Sequence, residues 1–214
     1  MNRRVTYQPW RFLRETAGDL GTASLLLCLV TGVVLAIPYD VQAPYASVSL
    51  MVTANPFAAL FRNLHYWSAQ SFLVFTLIHL TDYIRQRGER SQRPGMWIWL
   101  NIMLGLSFLL MLTGFILKGD AESMQAQRIL RSLLQTLPFS GDFLSTALLG
   151  KYEDLQLIYV HHIATGSIII SVVVYAHIRR LWTGWRAMWL CQGFLLMLSL
   201  LRSAPLHRPD DMVL

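Results

Sequence analysis

The chain has 214 residues, of which 54% are hydrophobic and 14% charged, with a mean hydropathy of +0.43 and a formal net charge of +6. A soluble domain carries about 25% charged residues, so the composition excludes an ordinary soluble domain and implies one integral membrane domain with little mass outside the lipid. Motifs exclude more: there is no CxxCH for covalent c-type haem, no CxxC or HExxH for zinc, and no Gly-rich phosphate loop after a strand, and nucleic-acid binding has no support.

In chain order, MNRRVTYQPWRFLRE is basic and is not followed by a small-residue cleavage site, so no cleaved signal peptide is expected. Uncharged windows then mark four expected helical spans: 20–39 between Asp19 and Asp40, 63–81 between Arg62 and Asp82, 94–117 between Arg93 and Lys118, and 155–178 between Asp154 and Arg179. A fifth window, 187–201, lies between Arg186 and Arg202; as a helix it is only about 22 Å long, so it reads as a short, tilted or incomplete span. The 118–154 connection is long enough to hold structure of its own. In it, AESMQAQRILRSLLQTL (121–137) has helical apolar spacing, PFSGDF breaks it, and LSTALLG forms another short turn, so amphipathic helices lying on the outer membrane face are expected. The tail SAPLHRPDDMVL reads as irregular, with His207 solvated. Cys28 and Cys191 lie in apolar segments and read as packing residues. The expected fold is an all-α membrane protein: a four-helix transmembrane bundle over 1–180, then a short fifth hydrophobic helix and polar tail over 181–214.

Charge sets the expected orientation. Residues 1–15 carry net +3, the 82–93 connection net +2, and Arg179, Arg180 and Arg186 follow the fourth span, whereas 118–154 is net −1. The positive-inside rule therefore puts the N-terminus in the cytoplasm. Seven tryptophans suit interface anchoring in the lipid bilayer.

Four histidines fall inside these spans in two matched pairs. His65 and His79 are fourteen residues apart; His162 and His177 are fifteen apart. Either spacing covers roughly 21–22 Å along a helix, and leaves the two residues about 40° or 60° apart around it. Each helix thus carries two imidazoles on nearly one face, one near each membrane surface. Ionisable residues at such depth are costly and usually functional. Both spans run from outside to inside, so His65 pairs with His162 outside and His79 with His177 inside. That is a layout for two bis-histidine haem b groups, with both axial positions filled and electron transfer favoured over oxygen chemistry. His161, turned by about 100° from His162, is the alternative outer ligand with a sixteen-residue spacing.

At this point the residues resemble a known family. FRNLHYWSAQSFLVFTLIHL (61–80), LLCLVTGVVLAIPY (26–39), MLTGFIL (111–117) and YVHH (159–162) are together similar to the N-terminal, haem-carrying half of the cytochrome b/cytochrome b6 family, from about Trp10 to Arg180. The YVHH passage and the fifteen-residue spacing are of the b6 type and favour His162. The resemblance implies that Arg62 pairs with a haem propionate, and that Gly18, Gly32 and Gly114 let the porphyrin lie close to the first and third helices. It also implies that Arg85, Arg179 and Arg180 lie near the inner haem edge.

Departures qualify what is carried over. Tyr66 stands where the family has an arginine, Leu100 and Asn101 stand at an expected glycine, and Lys118-Gly119 replaces a Pro-Trp. Thr16 stands at the position of a cysteine that anchors an extra haem in the b6 type, which argues against a third haem. The chain has no PEWY, a motif the split form of the family carries on a separate small subunit.

The resemblance implies an electron-transfer subunit of a quinol-oxidising bc1/b6f-like complex in the bacterial inner membrane, not catalytic alone. Its expected partners are quinol and quinone, a PEWY-bearing subunit, a Rieske-type iron–sulfur protein and a c-type cytochrome, in a dimeric multi-subunit assembly. Two alternatives stand beside it: a haem b subunit linking the quinone pool to another oxidoreductase or multihaem cytochrome without a Q-cycle, and a haem-free membrane anchor.

Overall fold

The computed structural model describes residues 9–90, 93–151, 154–178 and 185–208. The described residues contain helices and turns but no strand. The helices are α1 (Pro9–Ala36), α2 (Pro44–Ala54), α3 (Pro56–Arg85), α4 (Pro94–Ile116), α5 (Ala121–Gln135), α6 (Gly141–Leu149), α7 (Gln156–Val160), α8 (Ser167–Ile178) and α9 (Trp185–Leu201). A 3₁₀ turn spans Gly88–Arg90, and a π-turn over His161–Gly166 joins α7 to α8 into one continuous rod.

Local sequence explains the starts. Pro44, Pro56 and Pro94 each open a helix, where the missing N–H costs nothing. Asn55 caps α3 by accepting from the N–H groups of Phe57 and Ala58, and Asp120 caps α5 by accepting from Ser123. The 121–137 expectation is realised as α5, and the LSTALLG turn as part of α6. α2 was not expected: its sequence has no polar face, and its opening proline is the only signal for it.

Three helical stretches are long and apolar enough to cross a bilayer: Leu13–Ala36, Pro94–Ile116 and Gln156–Ile178. The expected span at 63–81 is the middle of the 30-residue α3. Arg62, Asn63, His65, Gln70, His79 and Asp82 keep α3 outside that apolar class. The expected fifth segment is α9, an apolar helix of 17 residues.

α1 lies along α3, and α9 packs against both through Leu20, Ala23, Cys191 and Leu195. α4 packs on the rod formed by α7, the π-turn and α8. A second core of Ile116, Leu117, Leu130, Leu149 and Ile158 seats α5 and α6 over the end of α4. Buried polar residues at these contacts are mostly small hydroxyls bonded to their own helix: Ser24 to the Leu20 carbonyl and Ser107 to the Met103 carbonyl. Such residues let helices approach closely without leaving an unsatisfied group. Large apolar side chains such as Val33, Ile98, Phe108, Val172 and Leu200 are exposed instead, the inverse of a soluble bundle.

Candidate functional site

α3 and the α7–α8 rod bring the four span histidines into two facing pairs. The His65 and His162 ring centroids are 6.3 Å apart, with planes at 74°. The His79 and His177 centroids are 6.5 Å apart, with planes at 68°. Two imidazoles bound to one metal at about 2 Å, each through a nitrogen about 1.1 Å from its ring centre, put their centroids about 6.3 Å apart. Each pair therefore has the separation a shared iron needs.

The outer pair is held by a repeated Thr-Gly dipeptide that sequence reading did not single out as a unit. Thr31 Oγ1 donates to the Leu27 carbonyl and lies 3.3 Å from His65 Nδ1. Thr113 Oγ1 donates to the Leu109 carbonyl and lies 3.1 Å from His162 Nδ1. With each hydroxyl proton committed to the backbone, the threonine oxygen is left to accept from the imidazole N–H. His65 Nδ1 also donates to the Cys28 carbonyl at 2.9 Å. Both Nδ1 atoms are thus protonated, and both Nε2 lone pairs are free to bind a metal, the arrangement in which neighbouring acceptors fix the tautomer and aim of a ligating histidine.

The glycine of each dipeptide faces the same ring. A Cβ on Gly32 would lie 3.0 Å from His65 Cε1, and one on Gly114 would lie 2.8 Å from His162 Cε1. Only a residue without a side chain allows that approach. Gly18 stands in the same relation to His79, with a Cβ position 3.2 Å from its ring. Among the described residues, no hydrogen bond is made by the His79 or His177 imidazole, and the His79 ring lies 6.4 Å from that of Tyr83 between centroids.

His161 is not part of either pair. Its Nε2 lies 3.1 Å from the Ala147 carbonyl of α6, and its Nδ1 lies 3.3 Å from Thr165 Oγ1. That settles which of the two adjacent histidines faces His65. Cys28, expected only to pack, sits with its Sγ 3.6 Å from His65 Nδ1.

The charged residues make contacts of their own. The Arg62 guanidinium donates to the Ala204 and Pro205 carbonyls, at 2.9 and 2.7 Å. Arg85 is exposed and lines a cleft with Arg14, Leu77, Ile78, Thr81 and Asp82. Six residues past His79, it points about 120° away from that imidazole. Arg14, four residues before Gly18 on α1, is bonded to Asp82 at 2.6 Å. Arg179 and Arg180 lie outside the described residues.

The tail is irregular, as expected, and His207 is exposed, but its backbone is tied down. Asn63 donates to the Ser199 carbonyl and accepts from the Ala204 N–H, and Trp67 Nε1 donates to the Arg202 carbonyl. These bonds satisfy groups left open at the end of α9. The chain then reaches α5, where the His207 N–H donates to Asp120 and its Nδ1 lies 3.2 Å from Glu122. His207 is thus a pairing residue and not a free one. Asp120 is fully buried. Burial opposes its charge, but Lys118 at 2.7 Å and the Ser123 and His207 N–H groups outweigh it and hold the carboxyl below its ordinary range. Lys118 and Gly119, which replace the family's Pro-Trp, are used here: Lys118 joins this network, and Gly119 adopts φ +69°, where a Cβ would meet the backbone nitrogen of Tyr45 at 2.6 Å.

Residues 15–182 match the family model described as Cytochrome b/b6/petB. The chain is 27% identical over 167 residues to the cytochrome b6 of Heliomicrobium gestii, covering 74% of this chain and 78% of that protein. It is 28% identical over 166 residues to the cytochrome b6 of Heliobacterium modesticaldum, covering 75% and 78%. It is also 28% identical over 168 residues to the cytochrome b/c1 of Bradyrhizobium diazoefficiens, covering 74% of this chain and 24% of that longer protein. With three helices able to cross a bilayer and a match over most of its length, the chain is an integral membrane protein and belongs to the cytochrome b/b6 family.

Proposed function

We propose that this chain is a di-haem b-type cytochrome subunit that carries electrons across the membrane in a quinol-oxidising complex of the bc1/b6f kind. The observation that carries the reading is the pairing of four imidazoles at metal-sharing distances, 6.3 and 6.5 Å between centroids, on two helices. The pairs are separated by about 21 Å along those helices, most of a ~30 Å hydrocarbon core. The four spans, with α9 as a fifth, would place the N-terminus in the cytoplasm of a bacterial inner membrane.

Bound haem would supply a one-electron carrier. The chain's residues do the rest. His65 and His162 would hold the outer haem, with Thr31, Thr113 and the Cys28 carbonyl fixing their tautomer and aim. His79 and His177 would hold the inner haem. Gly18, Gly32 and Gly114 keep the helix surface flat beside the rings. Arg85 and Arg179 remain the candidate partners of an inner propionate, and Arg62 of an outer one. Quinol is the expected reductant, and the expected partners are a PEWY-bearing subunit, a Rieske-type iron–sulfur protein and a c-type cytochrome in a dimeric assembly.

A second reading keeps the haems but drops the Q-cycle: one-way transfer between the quinone pool and another oxidoreductase or multihaem cytochrome. The tail favours it, because it binds across the outer end of the bundle and engages Arg62 and Asp120 there.

The test is a dithionite-reduced minus oxidised spectrum of the purified protein with haem quantified per chain. A sharp b-type α-band and two haems per polypeptide are expected. Folded protein made with haem supplied and containing none would refute the reading.

A further inference from the structure

The two ligand pairs have nearly the same separation, yet their sequence spacings differ. In α3, fourteen regular steps of about 100° bring His79 to about 40° short of His65's direction. Fifteen regular steps would carry His177 about 60° past that of His162, one residue step of about 100° further round the helix than fourteen. Both pairs nonetheless close alike: ring centroids are 6.3 and 6.5 Å apart in the outer and inner pairs.

We propose that the π-turn over His161–Gly166 is a register device that absorbs the fifteenth residue, so that His162 and His177 face α3 as though fourteen apart. A π-turn fits one extra residue into a turn with little net rotation. Four of its six residues, 163–166, follow His162 and precede His177.

The sequence around the turn is fitted to it. Ser167 Oγ donates to the His162 carbonyl, five residues back, at 2.6 Å. It thereby adds a side-chain bond to a carbonyl inside the turn. His161 anchors the turn from outside through Nε2 to the Ala147 carbonyl of α6. Gly166 is buried where a Cβ would lie 2.6 Å from Leu110 Cδ2 of α4 and 3.1 Å from the His161 carbonyl oxygen. The turn therefore packs directly on α4, the helix that carries Thr113 and Gly114. His161, Gly166 and Ser167 are positioning residues: none points at the imidazole pairs, and each holds the turn that aims His162.

This inference rests on the di-haem reading, and the test separates the two. Haem per chain is measured in the wild type, in a variant lacking Ile163 within the turn, and in one lacking Val74 within regular α3. Both deleted side chains are exposed, 40% and 51% respectively, so neither deletion empties a core. Removing Ile163 lets the turn relax to a regular helix with a fourteen-residue spacing, and both haems stay. Removing Val74 leaves thirteen residues and no turn to absorb the loss, so haem content falls to about one per chain. Loss of haem from the Ile163 deletion to the same extent as from the Val74 deletion, or full retention in both, overturns the inference. If either deletion yields protein without helical circular dichroism and monodisperse elution, Ser167→Ala decides. A changed outer-haem electron paramagnetic resonance signal with the inner signal unchanged is expected, and no change in either overturns the proposal. A wild type without haem overturns the di-haem reading, and this inference with it.

Discussion

Thr113 Oγ1 and His162 Nδ1 lie 3.1 Å apart, mirroring the contact between Thr31 and His65 across the outer pair. Outer-shell partners of this kind typically change metal affinity by about 10–100-fold. Thr113→Val keeps the side-chain shape and removes the acceptor. Outer-haem retention should weaken by about that factor while the inner haem is unaffected, and Thr113→Ser should restore it. Haem stoichiometry after dilution, with a redox titration, checks this; a valine variant indistinguishable from wild type would count against the role.

Adjacent histidines should behave differently. His162→Ala should cost the outer haem, because its ring faces His65. His161→Ala should keep two haems per chain, because its ring is turned to Ala147 and Thr165. Pyridine haemochrome quantification separates the two outcomes.

Gly114→Ala places a methyl 2.8 Å from His162 Cε1, whereas Gly105 on the same helix has nothing within 4 Å of its Cβ position. The first substitution should displace the imidazole and broaden or deplete the outer-haem signal. Gly105→Ala should leave the spectrum unchanged and gain slightly from the better helix propensity of alanine.

The tail should respond to acid. Asp120 has a folded-state pKa below its unfolded value, so its contribution to stability is complete above about pH 4 and is lost as pH falls through the lower folded value. Asp120→Asn should remove that acid-dependent step and, by weakening the Lys118 and His207 contacts, cost about 1–3 kcal/mol at neutral pH. Thermal midpoints measured against pH, with protease protection of the tail as a second readout, check both statements.

The facing of the four histidines in two pairs was the most legible part of the molecule. Four histidines at matched spacings on apolar windows can be paired before any coordinates exist, because helical rise and twist fix their relative positions. The glycines were found only through the family resemblance, since a missing side chain leaves no periodic signal. Thr31 and Thr113 were missed because a buried threonine bonded to its own helix is ordinary membrane packing until the imidazole opposite is seen. Arg62 has contacts that the sequence did not announce. Its guanidinium is taken by Ala204 and Pro205, residues more than 140 positions away, and nothing local to Arg62 encodes that partner. The π-turn was hidden for a related reason. A regular helix was assumed, in which the fifteen-residue spacing is an offset of about 60°, and no residue type in HHIATG announces a π-turn.

The packing of α9 against α1 and α3 also decides which side of the bundle can dock a neighbour. Leu195 and Cys191 are buried in that seam, so where α9 lies a neighbour would meet α9 and not the α1–α3 surface beneath it. Ile98 and Phe108 of α4 and Val172 and Tyr175 of α8 are exposed apolar side chains that no helix of this chain covers. Cross-links introduced on those four positions, compared with cross-links on α9, would map that docking side directly.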